Sequence, residues 1–507
     1  MENSDFLWKN LVYYIKWGID LKTNILKRLN EDERTSLALK SGVLYLIAEM
    51  ITRGISFLVT PVFTRILPPA VFADSKIFES WVYLIAPVIS LSLYQSMARA
   101  RFDYKEKYGK FLSSILFLMT IITLVFFLAC TPFSRKFENI FGFGKGLLAL
   151  MLAYCLAYNG IQCVQLYDRQ LLQYKRNVLL TFLGVVPGVV TSLFLILCFG
   201  SKVSENVLLN MRIVGFFLPT TLIGIFLIVY VFVTEKSFIC NEFFLYGVKY
   251  SVPLMATAVA SQVFFQSGNI IVRRVVGAEE AAIVVVAMTV GYIMDILIHA
   301  IDNAWKPWMF EQLNKGEIIA VKKFWKFLFL GIAFLVWLLT VFAPELTLFL
   351  GGTQYMSSII LISPILCSSL VNFLMISYTS LEQYYKKTKI SGIASVVSAI
   401  ADLVLSYMFI KSFGYQAVAY TILAAYLIAC MIHFWFMRKY ERDDVLQVKM
   451  SMGIILGTFG VCMSTTMLYS FSFIIRVLMV GSLLIILGLV FHKRFIEKFK
   501  VWVEREH

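Results

Sequence analysis

Asp295, His299, Asp302 and Lys306 follow one another at steps of 4, 3 and 4 residues in an otherwise apolar stretch. At about 100° per residue the four side chains fall within roughly 60° of arc, so a helix carries them as one polar stripe. An ionisable group inside a long apolar run costs a few kcal/mol and needs a partner, water or a task. A carboxylate and an imidazole one turn apart exchange a proton near neutral pH, which makes Asp295 and His299 a cavity-facing pair and candidates for ion coupling. Asp302 and Lys306 read as solvated residues at a helix end. Asp402 stands alone in a second apolar run dotted with Ser395, Ser398 and Ser406. It takes up a proton, binds a cation with the hydroxyls, or makes a plain interhelical hydrogen bond, and is a third ion-coupling candidate.

Two further groups could meet an anion. Glu49 and Arg53 lie one turn apart, about 12 and 18 Å along the first apolar run, and share a face. They form either a mutually neutralising pair or a cavity wall in which Arg53 receives an anion and Glu49 is its resting partner. The guanidinium fork suits a diphosphate. Gln262, Gln266 and Asn269 step by 4 and 3 and end at Arg273 and Arg274. They bind neighbouring helices, or they coordinate sugar hydroxyls and phosphate.

All of these residues must be positioned by helices in a lipid bilayer. Of 507 residues 59% are apolar and only 15% charged, against roughly 25% charged in a soluble domain. Mean hydropathy is +0.78. Fourteen apolar runs recur at 41–63, 78–98, 111–131, 146–165, 178–199, 213–234, 250–271, 281–301, 325–343, 355–376, 390–410, 417–436, 450–468 and 473–491. Each suits a spanning helix, because a hydrocarbon core about 30 Å thick takes about 20 helical residues while barrel strands need about ten with strict alternation. The expected fold class is an all-α integral membrane protein of about 14 transmembrane helices. No stretch between runs is long enough for a separate soluble domain, and no phosphate-binding G-x-x-x-x-G-K-[ST] loop occurs, which excludes ATP-driven pumping within this chain. The eight cysteines form no C-x-x-C pair and the four histidines no zinc spacing, so no metal, cofactor or disulfide framework is expected. A secretory signal peptide is not expected either.

The net charge of +15 would suggest nucleic acid in a soluble protein, but in a membrane protein it points to loops held on one side, with no nucleic-acid partner. With the N-terminus cytoplasmic, 33 of the 46 Lys and Arg residues fall inside and 10 outside. Both termini are therefore expected in the cytoplasm. Residues 1–40 interleave Leu7, Trp8, Leu11, Ile15 and Ile19 with Lys9, Lys16 and Lys22, as a basic amphipathic segment on a membrane surface does. It is either a topology-setting anchor or a contact with lipid or a partner. Arg65-Ile66-Leu67 with Ala73, and Arg274-Val275-Val276 with Ala282, repeat at an offset of 209 residues. That offset spans six helices and predicts two parallel six-helix lobes, 41–234 and 250–436, around a central cavity. A C-terminal pair, 450–491, and a basic tail, 492–507, complete the expected organisation.

Gly42, Arg53-Gly54 and the run Pro61-Val62-Phe63-Thr64-Arg65-Ile66-Leu67-Pro68 resemble the opening of the polysaccharide-transport branch of the multidrug/oligosaccharidyl-lipid/polysaccharide exporter superfamily, whose first helix closes on "P-x-x-T-R-x-L-x-P". Tyr250-Ser251-Val252-Pro253-Leu254 is similar to that family's "Y-x-x-P-L", and Trp305-Lys306-Pro307 follows the eighth run where the family carries a Trp and a Pro. The chain departs where relatives carry an Asp late in the seventh helix, here Asn269, and where "G-x-Y" becomes Ala282-Ile283-Val284. The resemblance implies an O-antigen-type flippase of the bacterial inner membrane, not an enzyme. It would move an undecaprenyl-diphosphate-linked oligosaccharide, an O-antigen or capsule or exopolysaccharide repeat unit, by alternating access. Helices 1, 2, 7 and 8 would line the cavity, a proton or sodium ion would couple the cycle, and membrane lipids and glycan polymerase machinery would be partners. An ion-coupled multidrug exporter of the same superfamily is the nearest alternative. A membrane-embedded glycan polymerase or acyltransferase is less well matched, because the outer loops hold about fourteen residues or fewer and such enzymes need a sizeable loop.

Overall fold

The structure is a computed structural model that describes residues 57–482 except Thr388 and Arg442, together with Leu44, Ala48, Met50, Ile51, Gly54 and Ile55. The basic segment 1–40, Glu49, Arg53, the end of the last expected span and the tail 492–507 lie outside the described residues. Every regular element among the described residues is helical. Lipid offers no hydrogen bonds, and the helix satisfies its own backbone. Eleven helical stretches of the described residues are long and apolar enough to span a bilayer, so the chain is a multi-pass membrane protein.

The helices are α1 (Phe57–Ile66), α2 (Pro69–Ile89), α3 (Met97–Tyr104), α4 (Tyr108–Cys130), α5 (Ser134–Phe141), α6 (Lys145–Gln170), α7 (Tyr174–Leu183), α8 (Val186–Phe199) and α9 (Glu205–Glu235). They continue as α10 (Asn241–Val275), α11 (Ala278–Asn314), α12 (Ile318–Val341), α13 (Ala343–Gly351), α14 (Ile359–Tyr384), α15 (Lys389–Phe413), α16 (Ala417–Met437), α17 (Val448–Thr465) and α18 (Phe473–Ser482). The chain divides into two compact units. One holds Asp74–Gln262, and the other holds Thr60–Ala73 together with the chain from Val263 onward. The division thus falls inside α10, after Gln262.

Three expected spans differ in detail. The second, placed at 78–98, is helical from Pro69 and stops at Ile89, because Leu91 and Ser92 take left-handed backbone at φ 49° and 50°. The Ala86 carbonyl accepts from the Ser90 N–H at 3.1 Å and, in addition, from the Ser90 hydroxyl at 2.9 Å and from Asn159 Nδ2 at 3.1 Å. The fifth, at 178–199, is interrupted between α7 and α8 just before Pro187, whose ring disfavours helix in the preceding residue. Thr220 Oγ1 donates to the Gly184 carbonyl there at 3.1 Å. The eighth runs on to Asn314 through Pro307, so Asp302 and Lys306 lie in the body of a helix and not at its end. Burial of Trp305 and Met309 on both sides of the proline holds the helix across the one hydrogen bond that proline removes.

In the first unit, α6 and α9 close on small residues. A Cβ on Gly224 would lie 2.6 Å from the Ala157 Cβ, and one on Gly160 would meet Ile228 at 2.8 Å. Such contacts let helices associate in lipid, where no hydrophobic force drives them together. A buried core gathers Leu93, Met97, Tyr108, Phe111, Ile115 and Met119 beside it. Asp168 at the end of α6 is fully buried and accepts from Arg176 Nε on α7 at 2.9 and 2.8 Å.

In the second unit, the P-x-x-T-R motif is a clamp. Thr64 Oγ1 donates to the Leu350 carbonyl at 2.6 Å, and Arg65 Nη2 donates to the Phe349 carbonyl at 3.0 Å. Gln354 Nε2 returns a hydrogen bond to the Thr64 carbonyl at 2.9 Å. The end of α1 thereby satisfies carbonyls at the C-terminal end of α13, where a cation also complements the helix dipole. Arg476 on α18, buried in an apolar stretch, is matched by Glu345 near the start of α13 and by the Val341 carbonyl at 2.7 Å.

Gly224→Leu should force α9 off Ala157 at a cost of about 1–3 kcal/mol, read as a lower melting temperature and more aggregate on size exclusion. Gly453→Ala, where a Cβ meets nothing within 4 Å, should leave both unchanged.

Candidate functional site

The seventh and eleventh expected spans meet at Asp402. This residue sits mid-way along α15 and is fully buried. Ser267 Oγ on α10 donates to its Oδ2 at 2.7 Å, and Ser406 Oγ, one turn further along α15, lies 3.4 Å from Oδ1. The Ser406 hydroxyl also pairs with Thr421 Oγ1 on α16 at 2.8 Å. Ser398, one turn before Asp402 and so on the same face, has a buried hydroxyl with no hydrogen-bond partner. One carboxylate and four hydroxyls from three helices are thus gathered in apolar surroundings. Close packing makes this reach feasible: a Cβ on Gly268 would lie 2.9 Å from Val418 Cγ1, so glycine beside Ser267 lets α16 approach α10.

Asp295 forms the second part. It is buried on α11, and Asn372 Nδ2 on α14 donates to its Oδ1 at 3.4 Å. His299 Nε2 lies 3.7 Å from Oδ2, with half of its side chain exposed. The expected pair is therefore close, and it joins a dry carboxylate to an accessible ring. The carboxylates of Asp295 and Asp402 both act electrostatically on the buried phenol of Tyr426 on α16, which stacks on Phe264 at 4.8 Å. Two acids assessed separately in the sequence thus share one neighbourhood.

The remaining candidates are dispersed. Gln266 and Asn269 are buried on α10, the latter with an unpartnered Oδ1, while Gln262 is half-buried and lies before the division between units. Arg273 is half-buried and Arg274 exposed at the end of α10. Glu49 and Arg53 are outside the described residues. Asp302 is half-buried, with Oδ1 unpartnered. Ser267, Asn372, Thr421 and Tyr426 were missed by sequence reasoning. Their one signal is polarity inside apolar helices, which does not say which helix they answer.

Chemically the Asp402 cluster offers oxygen donors alone, fit for a proton on the carboxyl or for a small hard cation. Among the described residues no group of three or more His, Cys, Asp or Glu side chains is arranged to hold a metal ion.

The chain matches the family described as polysaccharide biosynthesis protein over residues 38–313. No curated protein matches it in sequence. Solved structures share its fold. The lipid II flippase MurJ, in an inward closed conformation, superposes with a TM-score of 0.65 at 15% identity, over 89% of this chain and 100% of that one. A transporter of the MOP superfamily from Pyrococcus furiosus gives 0.55 at 15% identity, over 81% and 96%. A multidrug resistance MATE family transporter of that superfamily, facing inward, gives 0.56 at 14% identity, over 77% and 94%. At these identities the likeness is one of fold.

Ser267→Ala should remove the shorter donor from a buried carboxylate and destabilise the protein by about 1.5–3 kcal/mol. A thermal melt checks this, and an unchanged melting temperature would show that the contact is idle.

Proposed function

The chain belongs to the polysaccharide biosynthesis protein family, and on that premise we propose that it is a flippase for an undecaprenyl-diphosphate-linked oligosaccharide in the bacterial inner membrane. The observation that carries this reading is the pairing of polysaccharide-family membership with a fold shared by a lipid II flippase. The cargo is a lipid-linked glycan, an O-antigen or capsule or exopolysaccharide repeat unit, which alternating access moves from the cytoplasmic to the periplasmic leaflet. The cation bias, 33 of 46 inside, puts both termini in the cytoplasm. Arg53, with Arg273 and Arg274, supplies charge for a diphosphate, and Gln262, Gln266 and Asn269 supply amides for sugars. A multidrug exporter for cations would want acids at those positions. The protein does no covalent chemistry in this reading, and glycan polymerase machinery receives its product.

A diphosphate glycan does not cross a membrane uphill unaided, and the chain carries no nucleotide site. An ion gradient, the membrane potential or downhill flow remain, and the acid clusters favour the first. Asp402 with Ser267, Ser398, Ser406 and Thr421 holds the ion, while Asp295, half in contact with the accessible His299, relays a proton. Binding an ion at Asp402 neutralises a buried charge that otherwise costs several kcal/mol, so occupancy shifts the balance between conformations that hold and release it.

Deletion should accumulate a lipid-linked glycan on the cytoplasmic face, identified by mass spectrometry of extracted lipids. Arg53→Ala should abolish surface glycan at unchanged protein abundance, and normal glycan would sink its assigned role. Asp402→Asn should do the same and should also remove any stabilisation by sodium. For an ion at 100 times its dissociation constant that stabilisation is about 2.7 kcal/mol. A sodium-independent melt combined with export that collapses with the pH gradient would assign a proton instead.

A further inference from the structure

A buried pair of opposite titratable groups lies apart from both acid clusters. Glu382, in the last turn of α14, and His433, near the end of α16, are 0% and 1% exposed. Glu382 Oε1 is 2.5 Å from His433 Nδ1, and Ser391 Oγ, in the first turn of α15, donates to Oε2. One carboxylate therefore joins the ends of three helices. Tyr378 stacks on the imidazole, ring centroids 6.1 Å apart and nearly parallel, and closes it from above. An apolar trio of similar volume would pack here at no greater cost, because burying two charges forfeits several kcal/mol of hydration for each ion. The position thus holds charge at a disadvantage to stability, in a place where a proton changes the interaction most.

We propose that Glu382 and His433 form a proton-binding site whose occupancy sets how tightly α14, α15 and α16 are joined at this end. With the proton bound, an imidazolium faces a carboxylate, the pair is neutral, and the hydrogen bond is charge-assisted, about twice as strong as a neutral one. On release the Nε2–H bond breaks, its electron pair stays on nitrogen and the proton passes to water. Nδ1–H still donates, but the pair now carries one negative charge and the tie weakens. The α15–α16 pair also carries Asp402 and Thr421, about 16–18 Å further along by helical rise. Loosening the one end alters how these helices present the cation cluster. For its place in transport the inference rests on the flippase reading, and it deepens that reading by naming the regulating ion as a proton.

Other charges at this end are accounted for. The loop after α16 brings Glu441, Asp443 and Asp444. Burial raises Glu441 above the ordinary carboxylate range, while the Val445 N–H donates to it at 2.6 Å. Glu441 and Asp444 act on Tyr378. The cations are Lys386 and Lys387 after α14, Lys389 at the start of α15, Arg438 and Lys439 after α16, Lys322 and Lys323 on α12 and Lys449 on α17, while Lys315 on α11 is spent on Glu311. Lys387 lies over the Tyr440 ring. Of these groups Lys322 is half-buried, Glu441 is buried like Glu382 and His433, and the rest are exposed.

Only four histidines occur in the chain, so nitrogen-15 histidine labelling of the full protein in lipid nanodiscs gives a spectrum simple enough to assign. One ring should gain a second nitrogen-bound proton reversibly as the pH is lowered, its signal should vanish in His433→Gln, and its pH response should change in Glu382→Gln. The wild-type protein alone gives the first reading, which needs no folded Glu382 variant. A His433 ring that is neutral throughout, or indifferent to Glu382→Gln, overturns the site whatever the protein transports. In cells making the glycan, Glu382→Gln at wild-type abundance should lower export by about five-fold or more. Normal export beside an intact wild-type proton signature overturns the regulatory role, and unchanged export on gene deletion would fail the flippase reading alone.

Discussion

Lipid gives nothing back to a polar group, and this one constraint organises the molecule. Each carbonyl freed by a break, and each charged side chain in an apolar helix, must be answered by another part of the protein. Thr220 answers the carbonyl at Gly184, and Glu345 the guanidinium of Arg476. Tertiary structure in such a protein is the record of which polar group answers which, with small residues setting how closely the answering helices approach.

The two acid clusters differ from these fittings in degree of completion. The Arg476 guanidinium meets a carboxylate and a carbonyl, and Asp168 meets a guanidinium, so both are balanced in charge. Asp402 meets only hydroxyls, which solvate a negative charge without cancelling it. A group left electrically incomplete in a dry place favours whatever positive species reaches it, and the half-exposed His299 beside Asp295 marks where water comes nearest.

Helical period was enough to read much of this from the amino acids. The membrane class, the Asp295–His299 adjacency and the alignment of Ser398 and Ser406 with Asp402 all follow from spacing within one helix. Contacts between helices were not legible in that way. Ser267 lies 135 residues from Asp402 and His433 lies 51 from Glu382, and a period of 3.6 carries no information across such gaps. Asp302 was misplaced for a different reason: the apolar run ends at 301, whereas the helix continues to Asn314.

The clamp at Thr64 and Arg65 bears on how the chain is made. Its partner carbonyl at Leu350 comes 286 residues later. At roughly 5–20 residues per second of synthesis, the hydroxyl and guanidinium wait about 14–57 s for it. Throughout that interval a segment belonging to the second unit is already in the membrane while the first unit is being completed. The ribosome thus delivers an early helix of a late structure, and in the meantime Thr64 and Arg65 have the Thr60 and Pro61 carbonyls of their own helix to bond.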